Sequence, residues 1–579
     1  MEQQSEKLRV HSIKARPEKA FPKEGRPDIH FLQKKAAGIL RIQEKQIREL
    51  RIVRYSIDAR KKPDIFVLFS VDIILNGISA AAVLKRCKSD QVTRITDKEY
   101  VFPKSGSTYL KERPVIIGTG PAGLFCGYEL ALHGYHPILL ERGADVDTRT
   151  GDVAAFWEGG ELDPNSNVQF GEGGAGTFSD GKLNTLIKDK DGRNREVLRI
   201  FCRFGAKEEI LYDYKPHLGT DELVHIVKRM REEIVALGGE VHFHTQMVDF
   251  ETDQNRVTKV ITRDGRVFPC GVLVLAIGHS ARDTFRMLYE KQIPMEAKSF
   301  AVGLRVEHLQ EQINMAQYGK KDAGVLGAAP YKLTAKTTSG RGVYSFCMCP
   351  GGYVVNASSQ EGRLAVNGMS YSGRDSKNAN SAIIVTVTPQ DFGDTHPLAG
   401  IRFQETLEEK AYRIGQGNVP VEYYTDFKKD IDLSENQKTQ ADAKASENPE
   451  KERSSAETAD YTGDNEPRTI TPCIKGRYTF SRVSDILPGE LGQAFVEGME
   501  QFDQKIPGFA GRNVLVEGIE SRTSSPVRIS RDDRLVGNYS NLYPCGEGAG
   551  YAGGITSAAM DGMRVAEMIA LEYTSFDNH

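Results

Sequence analysis

The pattern of hydrophobic and polar residues predicts three kinds of region along the chain. Near the N-terminus, residues 51–59 (RIVRYSIDA) and 64–75 (DIFVLFSVDIIL) are rich in β-branched and aromatic residues, which is typical of two neighbouring strands. Around them the sequence predicts three helices and a last short strand, at Phe31–Leu40, Glu44–Leu50, Ile78–Cys87 and Tyr100–Phe102. Residues 1–104 are therefore expected to form a small basic α+β domain.

Residues 114–143 have a different pattern, in which an apolar strand, the glycine turn GTGPAG, a helix and a second apolar strand follow one another. This order predicts a βαβ nucleotide-binding unit. Gly118 permits the tight turn, Gly120 lets a pyrophosphate approach the backbone, and Gly123 lets the helix pack on the sheet. The phosphates would meet the free N–H groups of the helix, and Glu141 would accept hydrogen bonds from the ribose. The same predicted site includes Pro121, Ala122 and Arg142.

Three later segments indicate which dinucleotide is bound. A glycine-rich loop at 167–185, a strand with a tight turn at 272–283, and a strand, glycine turn and helix at 541–569 come in this order. Flavoproteins of the glutathione-reductase type use such separated segments to reach the ribityl chain and pyrophosphate of FAD, so the sequence predicts FAD. Among the histidines, His279 is the one placed near the cofactor. The predicted contacts from this part of the chain are Gly174, Gly176, Thr177, Val248, Ala276, Gly278, Gly546, Glu547, Gly554 and Ile555.

Several longer motifs carry a resemblance to a known family: FGEGGAGTFSDGKLNT, AIGHSARDT, FCMCPGGYVVNAS, NGMSYSGRDSKNANSA, ESRTSSPVRI and CGEGAGYAGGI. Over about residues 30–579 the chain resembles the bacterial and plastid FAD-dependent dehydrogenases, which are related to geranylgeranyl-reductase-like and BaiN-like flavoproteins. The resemblance implies bound FAD and an α/β fold, in which a β-rich substrate domain interrupts a glutathione-reductase-type Rossmann domain. It implies no particular substrate.

Short strands fill residues 293–509. Segments such as FAVGLRVEH, GVYSFCMC and SAIIVTVTP have period-two apolar residues and are separated by Gly or Asn turns. We expect a β-rich domain here, interposed between two parts of the FAD-binding domain at 105–292 and 510–579. Within it, Asp432–Glu466 has almost no apolar residues, so the sequence predicts a disordered surface insertion.

Composition bears on location, metals and partners. No apolar run approaches the roughly 18 residues of a membrane helix, and the polar N-terminus has no recognisable secretory signal. Eight scattered cysteines favour free thiols in a reducing cytoplasm over structural zinc, and we expect no metal. Residues 1–62 carry 17 Lys and Arg against 8 Asp and Glu. This excess favours a solvated face docking on an acidic domain over an RNA contact.

Besides the glycine loop, two groups of residues compete for the surface where a substrate would meet the flavin. The segment ESRTSSPVR places Arg522, Ser524 and Arg528 after a predicted strand. They would bind an anionic or carbonyl substrate, or hold the loop by their own hydrogen bonds. Cys347 and Cys349 form a CxC pair whose spacing strains a disulfide, and their apolar neighbours favour packing thiols over redox function.

Together these features predict an FAD-dependent oxidoreductase that transfers hydride between the flavin and an unidentified small-molecule substrate. The sequence contains no second strand–GxGxxG–helix unit. Electrons would therefore come from a transiently docked NAD(P)H, from the substrate, or from a protein carrier. Two alternatives stay open. One is a flavoprotein of RNA modification with the basic N-terminus as the RNA contact, and the other is a non-catalytic sensor whose flavin redox state controls a partner.

Overall fold

The computed structural model describes residues 7–22, 26–95, 98–433 and 468–578. In these ranges helices and strands are mixed and the strands form six sheets, which confirms the mixed α/β class. The predicted disordered insertion Asp432–Glu466 lies outside the described residues, apart from its first two positions. Among the described helices, none combines the length and the hydropathy that crossing a membrane requires.

An antiparallel sheet occupies the N-terminal region. Its strands are β1 (Lys7–Ala15), β2 (Ile47–Asp58), β3 (Phe66–Leu75) and β4 (Val92–Arg94), and its helices are α1 (Pro17–Ala20), α2 (Ile29–Leu40) and α3 (Ala80–Cys87). The strand order is β2-β3-β1-β4, so the predicted pairing of the two long strands is confirmed. Every second residue of β3 from Val67 to Leu75 is buried, and this face belongs to the same core as the buried residues of α2.

Two local predictions for this region are wrong. The predicted helix Glu44–Leu50 is a short 3₁₀ turn at Glu44–Gln46 followed by the start of β2. Leu50 pairs with Ile73 across the hairpin, and this cross-strand pairing outweighs the local helical pattern. The predicted strand Tyr100–Phe102 has no regular secondary structure, because its aromatic side chains pack against the neighbouring core instead of pairing with a strand.

A five-stranded parallel sheet carries the predicted nucleotide-binding unit. It consists of β5 (Pro114–Ile117), β6 (Ile138–Leu140), β7 (Glu240–His242), β11 (Val272–Leu275) and β24 (Leu542–Pro544) in the order β24-β11-β5-β6-β7. Every residue of β5, β11 and β24 is buried, as expected for a parallel sheet covered on both faces. The last strand comes from the C-terminal part of the chain, which confirms the predicted return to this sheet.

Helices and one small sheet accompany these parallel strands. The helices are α4 (Pro121–Leu132), α5 (Val146–Trp157), α6 (Arg193–Arg203), α7 (Thr220–Ala236), α8 (Arg282–Glu290) and α13 (Ile555–Glu572). The antiparallel sheet consists of β8 (Met247–Asp253), β9 (Arg256–Thr262) and β10 (Val267–Pro269). Helix α13 lies directly against α4, since a Cβ at Gly562 would be 2.2 Å from the carbonyl oxygen of Ala122.

A seven-stranded sheet forms most of the β-rich region. Its strands are β13 (Phe300–Leu309), β14 (Thr334–Lys336), β15 (Gly342–Cys349), β18 (Asn378–Val387), β19 (Val419–Tyr423), β21 (Tyr478–Phe480) and β22 (Leu515–Glu520), in the order β14-β15-β18-β13-β22-β19-β21. The predicted strands in this part of the chain are confirmed. Strand β22 pairs with β13 and β19, so the chain rejoins the parallel sheet only at β24.

Smaller elements complete the β-rich region. A three-stranded sheet contains β16 (Tyr353–Asn356), β17 (Val366–Met369) and β20 (Ile474–Lys475), and β12 (Met295–Ala297) pairs with β23 (Val527–Ile529). The helices are α9 (Gln310–Tyr318), α10 (Ala399–Ile414), α11 (424–433) and α12 (Gly489–Asp503). Strand β17 contacts β15, β18 and β22, so the small sheet packs on the large one.

Candidate functional site

The glycine turn after β5 brings the backbone of three segments into close contact. Gly118 has φ +98°, and a Cβ there would lie 2.5 Å from the carbonyl oxygen of Ala276. A Cβ at Gly123 would lie 1.9 Å from the carbonyl oxygen of Gly118. Both positions therefore require glycine. The result is that α4 starts immediately beside the parallel sheet, with Gly120 as its N-cap and no side chain capping its first N–H groups.

A second helix begins beside the first. Helix α13 starts at Ile555 after Gly554, and it also has no side-chain cap. The first residues of α4 and α13 line one cavity, which contains about 1330 Å³ of empty space, counting its open mouth. Uncapped helix N-termini carry free N–H donors and a partial positive charge. Two of them at one cavity form a site for a doubly charged group such as a pyrophosphate.

Most of the residues that line this cavity belong to two sets. We call nucleotide wall the lining residues that belong to the turns after β5, β6, β11 and β24, to the glycine loop, and to the starts of α4 and α13. We call sheet wall the lining residues contributed by β15, β17 and β22 and by the turn after β22. The sheet wall consists of Phe346, Cys347, Asn367, Glu520, Arg522 and Thr523.

Glu141 follows β6 directly on the nucleotide wall, and hydrogen bonds from the protein itself satisfy its carboxylate. The backbone N–H and the hydroxyl of Thr119 donate to Oε2 at 2.9 and 2.8 Å. The N–H groups of Gly143 and Gly171 donate to Oε1 at 3.0 and 3.1 Å. Four donors fill most of the lone pairs of a carboxylate. In this arrangement Glu141 ties three backbone turns together, and the turns, more than the carboxylate, form the surface of the wall.

The glycine loop packs on the turn after β5, where a 3₁₀ helix at Gly174–Gly176 lies against the start of α4. Gly174 and Gly120 approach so closely that a Cβ at Gly174 would be 3.0 Å from the Cα of Gly120. On the same wall, the Nδ1 atom of His279 lies 3.4 Å from a carboxylate oxygen of Glu547. The Nε2 atom of His279 is buried and has no hydrogen-bond partner among the described residues.

Most of the predicted site residues line the cavity: Gly118, Gly120, Pro121, Ala122, Glu141, Arg142, Gly174, Gly176, Ala276, Gly278, Arg522, Glu547, Gly554 and Ile555. Six predicted residues lie outside the lining: Gly123, Thr177, Val248, Ser524, Arg528 and Gly546. His279, which the sequence places near the cofactor, is part of the nucleotide wall. The structure therefore brings together segments that are more than 400 residues apart in the sequence.

Contacts within the protein account for the positions of three residues outside the lining, Gly123, Gly546 and Arg528. Gly123 and Gly546 are packing positions behind the wall, since a Cβ at Gly546 would lie 2.6 Å from the Cβ of Ala122. Arg528 lies on β23, whose partner strand β12 carries Glu296, and the two side chains pair at 3.4 Å. Of the two arginines predicted near the flavin, Arg522 lines the cavity and Arg528 does not.

The sheet wall is organised by Arg305 of β13, which is fully buried. Its Nε and Nη2 atoms donate to the two carboxylate oxygens of Glu520 at 2.5 and 3.1 Å. Its Nη1 atom donates to the carbonyl oxygen of Cys347 at 2.8 Å and to Asn380 at 2.9 Å. Its Nη2 atom also donates to Asn367 at 3.0 Å. One arginine thus holds three residues of the sheet wall in place.

Arg522 belongs to a second buried cluster. Its Nε and Nη2 atoms donate to the carboxylate of Glu408 at 2.9 and 2.8 Å, and Nη1 donates to Ser359 at 2.5 Å. Arg282 binds the same carboxylate at 2.7 and 2.8 Å. Burial alone would raise the pKa of Glu408. The two guanidinium groups of Arg282 and Arg522 nevertheless hold this pKa well below its usual range. Arg522, which the sequence predicts to bind substrate, is therefore already ion-paired with a carboxylate of the protein itself.

The two cysteines of the CxC motif occupy different positions. Cys347 lines the cavity and Cys349 is fully buried, where its thiol donates to the carbonyl oxygen of Cys347 at 3.2 Å. Burial raises the pKa of Cys347 to about 11 and that of Cys349 to about 12, although Arg305 opposes both shifts. Both groups are therefore thiols at neutral pH, as the sequence predicts, but Cys347 is also part of the sheet wall.

Sequence reasoning missed several lining residues, among them Gln169, Phe170, Phe346, Asn367 and Glu520. For Glu520 a signal exists, because an acidic residue ends the strand LVEGIE two positions before Arg522. For Asn367 the sequence offers only its place in a short strand before a glycine. Its role depends on contact with Arg305, which belongs to a strand of the other sheet.

Comparisons with known proteins place the chain in a family. A family model described as FAD-dependent protein, C-terminal domain-like, matches residues 299–455 and 436–523, which include the sheet wall. A model of a domain of unknown function (DUF8436) matches residues 7–74. A protein of Clostridium beijerinckii, described as uncharacterized, is 44% identical over 557 residues, which are 94% of this chain and 96% of that protein.

Two solved structures are similar to the chain only at a distance. Glycine oxidase from Bacillus cereus is 12% identical with a TM-score of 0.30, over 79% of this chain and 95% of that chain. Thioredoxin reductase from Lactococcus lactis is 20% identical with a TM-score of 0.17, over 29% of this chain and only 36% of that chain. At these values the likenesses carry no functional argument. The family rests on the Clostridium protein and on the matched model, and the chain belongs with that protein to a family of FAD-dependent flavoproteins.

Proposed function

We propose that the protein is an FAD-dependent oxidoreductase that transfers hydride between the flavin and a small-molecule substrate bound at the sheet wall. The observation that carries the proposal is the pair of uncapped helix N-termini, α4 and α13, at one cavity. A pyrophosphate fits there, because Gly120 and Gly174 leave the backbone bare where it would approach. Glu547 and the turn after Glu141 would hold the ribityl and adenosine parts.

FAD, when bound, supplies the hydride chemistry, and the chain supplies binding, orientation and charge. The buried Arg282–Glu408–Arg522 cluster has two guanidinium groups for one carboxylate. Its net positive charge favours a role for Arg522 in stabilising negative charge in the cavity over direct capture of a substrate carboxylate. Ser524 and Arg528 lie outside the lining and are not assigned a catalytic role.

The cofactor part of the proposal is tested with Gly120→Ala. In the protein alone, a Cβ at Gly120 has its nearest contact at 3.8 Å, with Gly174, so the fold should accept it. A bound pyrophosphate would meet the added methyl group. We expect wild-type protein to be purified yellow and to release FAD on denaturation, and Gly120→Ala to lose most of its FAD at unchanged apoprotein stability. Gly151→Ala, where a Cβ has no neighbour within 4 Å, is the matched control.

The reaction is tested by anaerobic reduction of the bound flavin, followed by its visible absorbance. NADH, NADPH and a panel of metabolites are the electron sources, and a reductant that bleaches the flavin with saturation kinetics identifies the donor. A correctly folded, colourless protein that takes up no FAD would overturn the proposal. The RNA-modification and redox-sensor alternatives stay predictions. Salt-dependent RNA binding would favour the first, and redox-dependent partner binding without turnover would favour the second.

A further inference from the structure

Two residues of the sheet wall are held next to each other by one nitrogen atom. The Nη2 atom of Arg305 donates to Oδ1 of Asn367 at 3.0 Å and to Oε1 of Glu520 at 3.1 Å. Asn367 lies on β17 and Glu520 ends β22, so the contact joins two different sheets. Both residues line the cavity. The amide and the carboxylate are therefore neighbours at the same surface.

The contacts of Asn367 fix which end of its amide is free. Its Oδ1 atom accepts from Arg305 and also from the backbone N–H of Gly368 at 2.8 Å. Both contacts identify that atom as the oxygen, since both partners are donors. The Nδ2 group makes no hydrogen bond within the described part of the chain, so Asn367 has two N–H donors to offer.

Glu520 offers the opposite function. Within the described residues its oxygens accept only from Arg305, and a carboxylate has further lone pairs beyond those two bonds. Arg305 has no N–H left for an incoming anion, because its five donors serve Glu520, Asn367, Asn380 and the carbonyl oxygen of Cys347. An anion at this point would meet the Glu520 carboxylate, and Arg305 would have no free N–H to donate to it. The surface therefore presents an N–H donor beside a negatively charged acceptor.

We propose that Asn367 and Glu520 form a binding subsite for an uncharged carboxamide. The carbonyl oxygen of the ligand would accept from the Asn367 amide, and its N–H would donate to Glu520. This inference rests on the proposed FAD site, because it takes the cavity to be the place where the flavin meets its reaction partner. A carboxamide of this kind has two sources, the nicotinamide ring of NAD(P)H and an amide-bearing substrate.

The test compares ligands that differ only in this group. Purified FAD-bound protein is titrated with nicotinamide and with nicotinate, and the difference spectrum of the flavin reports binding. We expect nicotinamide to give a saturable change and nicotinate to bind at least tenfold more weakly, because its carboxylate faces Glu520. Equal affinities would overturn the inference, as would the absence of any response to nicotinamide in protein that holds FAD.

A variant assigns the binding to this pair. Asn367→Asp replaces the free N–H₂ by an oxygen, and it should weaken nicotinamide binding at least tenfold while the FAD content stays normal. Asn255→Asp adds the same charge at an exposed turn far along the chain and is the control. Loss of FAD from Asn367→Asp, with no nicotinamide response in wild-type protein, would show that the pair holds the flavin itself and would overturn the inference.

The source of the carboxamide is decided by anaerobic reduction. If NAD(P)H is the source, NADH or NADPH should reduce wild-type flavin, and Asn367→Asp should raise the concentration needed for half-maximal rate at least tenfold. If neither nucleotide reduces a protein that binds nicotinamide, the subsite serves an amide-bearing substrate. A colourless protein would instead refute the proposed function, so the two failures are distinguishable.

Discussion

Replacing Glu408 by Gln should destabilise the protein strongly. Glu408 is fully buried between Arg282 and Arg522, whose exposed fractions are 1% and 9%. Glutamine keeps the shape of the side chain but removes the one charge that both arginines contact directly. Breaking a buried ion pair by removing one partner costs about 3–5 kcal/mol, because an uncompensated charge is left behind. We expect Glu408→Gln to lower the free energy of unfolding by about this amount.

Two controls separate this effect from a general loss of charge. Glu409 is the next residue, and its side chain is 48% exposed in an ion pair with Arg363. Glu409→Gln should cost about 0–1 kcal/mol, as surface pairs do. Arg522→Met leaves the buried Arg282–Glu408 pair intact, so it should cost less than Glu408→Gln, about 1–3 kcal/mol for the lost charged hydrogen bonds.

Equilibrium unfolding in urea, followed by circular dichroism, measures these differences, and the pH dependence gives a further test. The pKa of folded Glu408 lies below its ordinary value of 4.5, so its contribution is present above that pH and is lost as the pH falls through the lower, folded-state pKa. The difference in the free energy of unfolding between wild type and Glu408→Gln should be constant near neutral pH and should become smaller below about pH 4.5. If Glu408→Gln were no more destabilising than Glu409→Gln, the assigned charge balance would be wrong.

Three further predictions concern the cavity. Gly123→Ala should prevent FAD retention and lower the melting temperature, because its Cβ would be 1.9 Å from the carbonyl oxygen of Gly118. Glu141→Ala should weaken FAD retention, measured by flavin release on dilution, and destabilise the apoprotein by about 1.5–3 kcal/mol, since it frees buried donors of three turns. Iodoacetamide should alkylate Cys347 increasingly up to about pH 11 and Cys349 less, measured by peptide mass, since only Cys347 lines the cavity.

The nucleotide wall could be predicted from the sequence because its constraints are local. Gly123 is required by its contact with Gly118 in the same motif, and Gly118 by its positive φ in the turn, where a Cβ would also meet Ala276. Both positions are visible as glycines in a fixed spacing. The helix start at Gly120 follows from the same motif. Chain order then placed Glu547 and Ile555 near the same point, because a strand that returns to a parallel sheet ends at the same edge as its neighbours.

The sheet wall could not be predicted in the same way. Alternation identified β15 and β22 as strands, but it does not tell which face of an antiparallel sheet meets a cavity. Arg522 was placed correctly at the end of a strand, yet its partner Glu408 lies on α10, more than 100 residues away. Because the partner comes from a distant part of the chain, the sequence suggests an arginine that is free to bind a ligand. In the structure this arginine is already ion-paired with Glu408.

The two arginine clusters give the sheet wall two different electrostatic surfaces. Arg305 is matched by Glu520 and by neutral amide and carbonyl groups, so the Asn367–Glu520 surface attracts hydrogen-bonding groups without attracting anions. Arg522 shares Glu408 with Arg282, so its side of the wall keeps an excess positive charge. Under the proposed function, the first surface would orient an uncharged reaction partner, and the second would favour the negative charge that hydride transfer to the flavin creates. If the Asn367–Glu520 surface carried the excess positive charge and the Arg522 side were neutral, binding of the uncharged partner would be weakened at the first surface. The reduction potential of the flavin would be altered at the second.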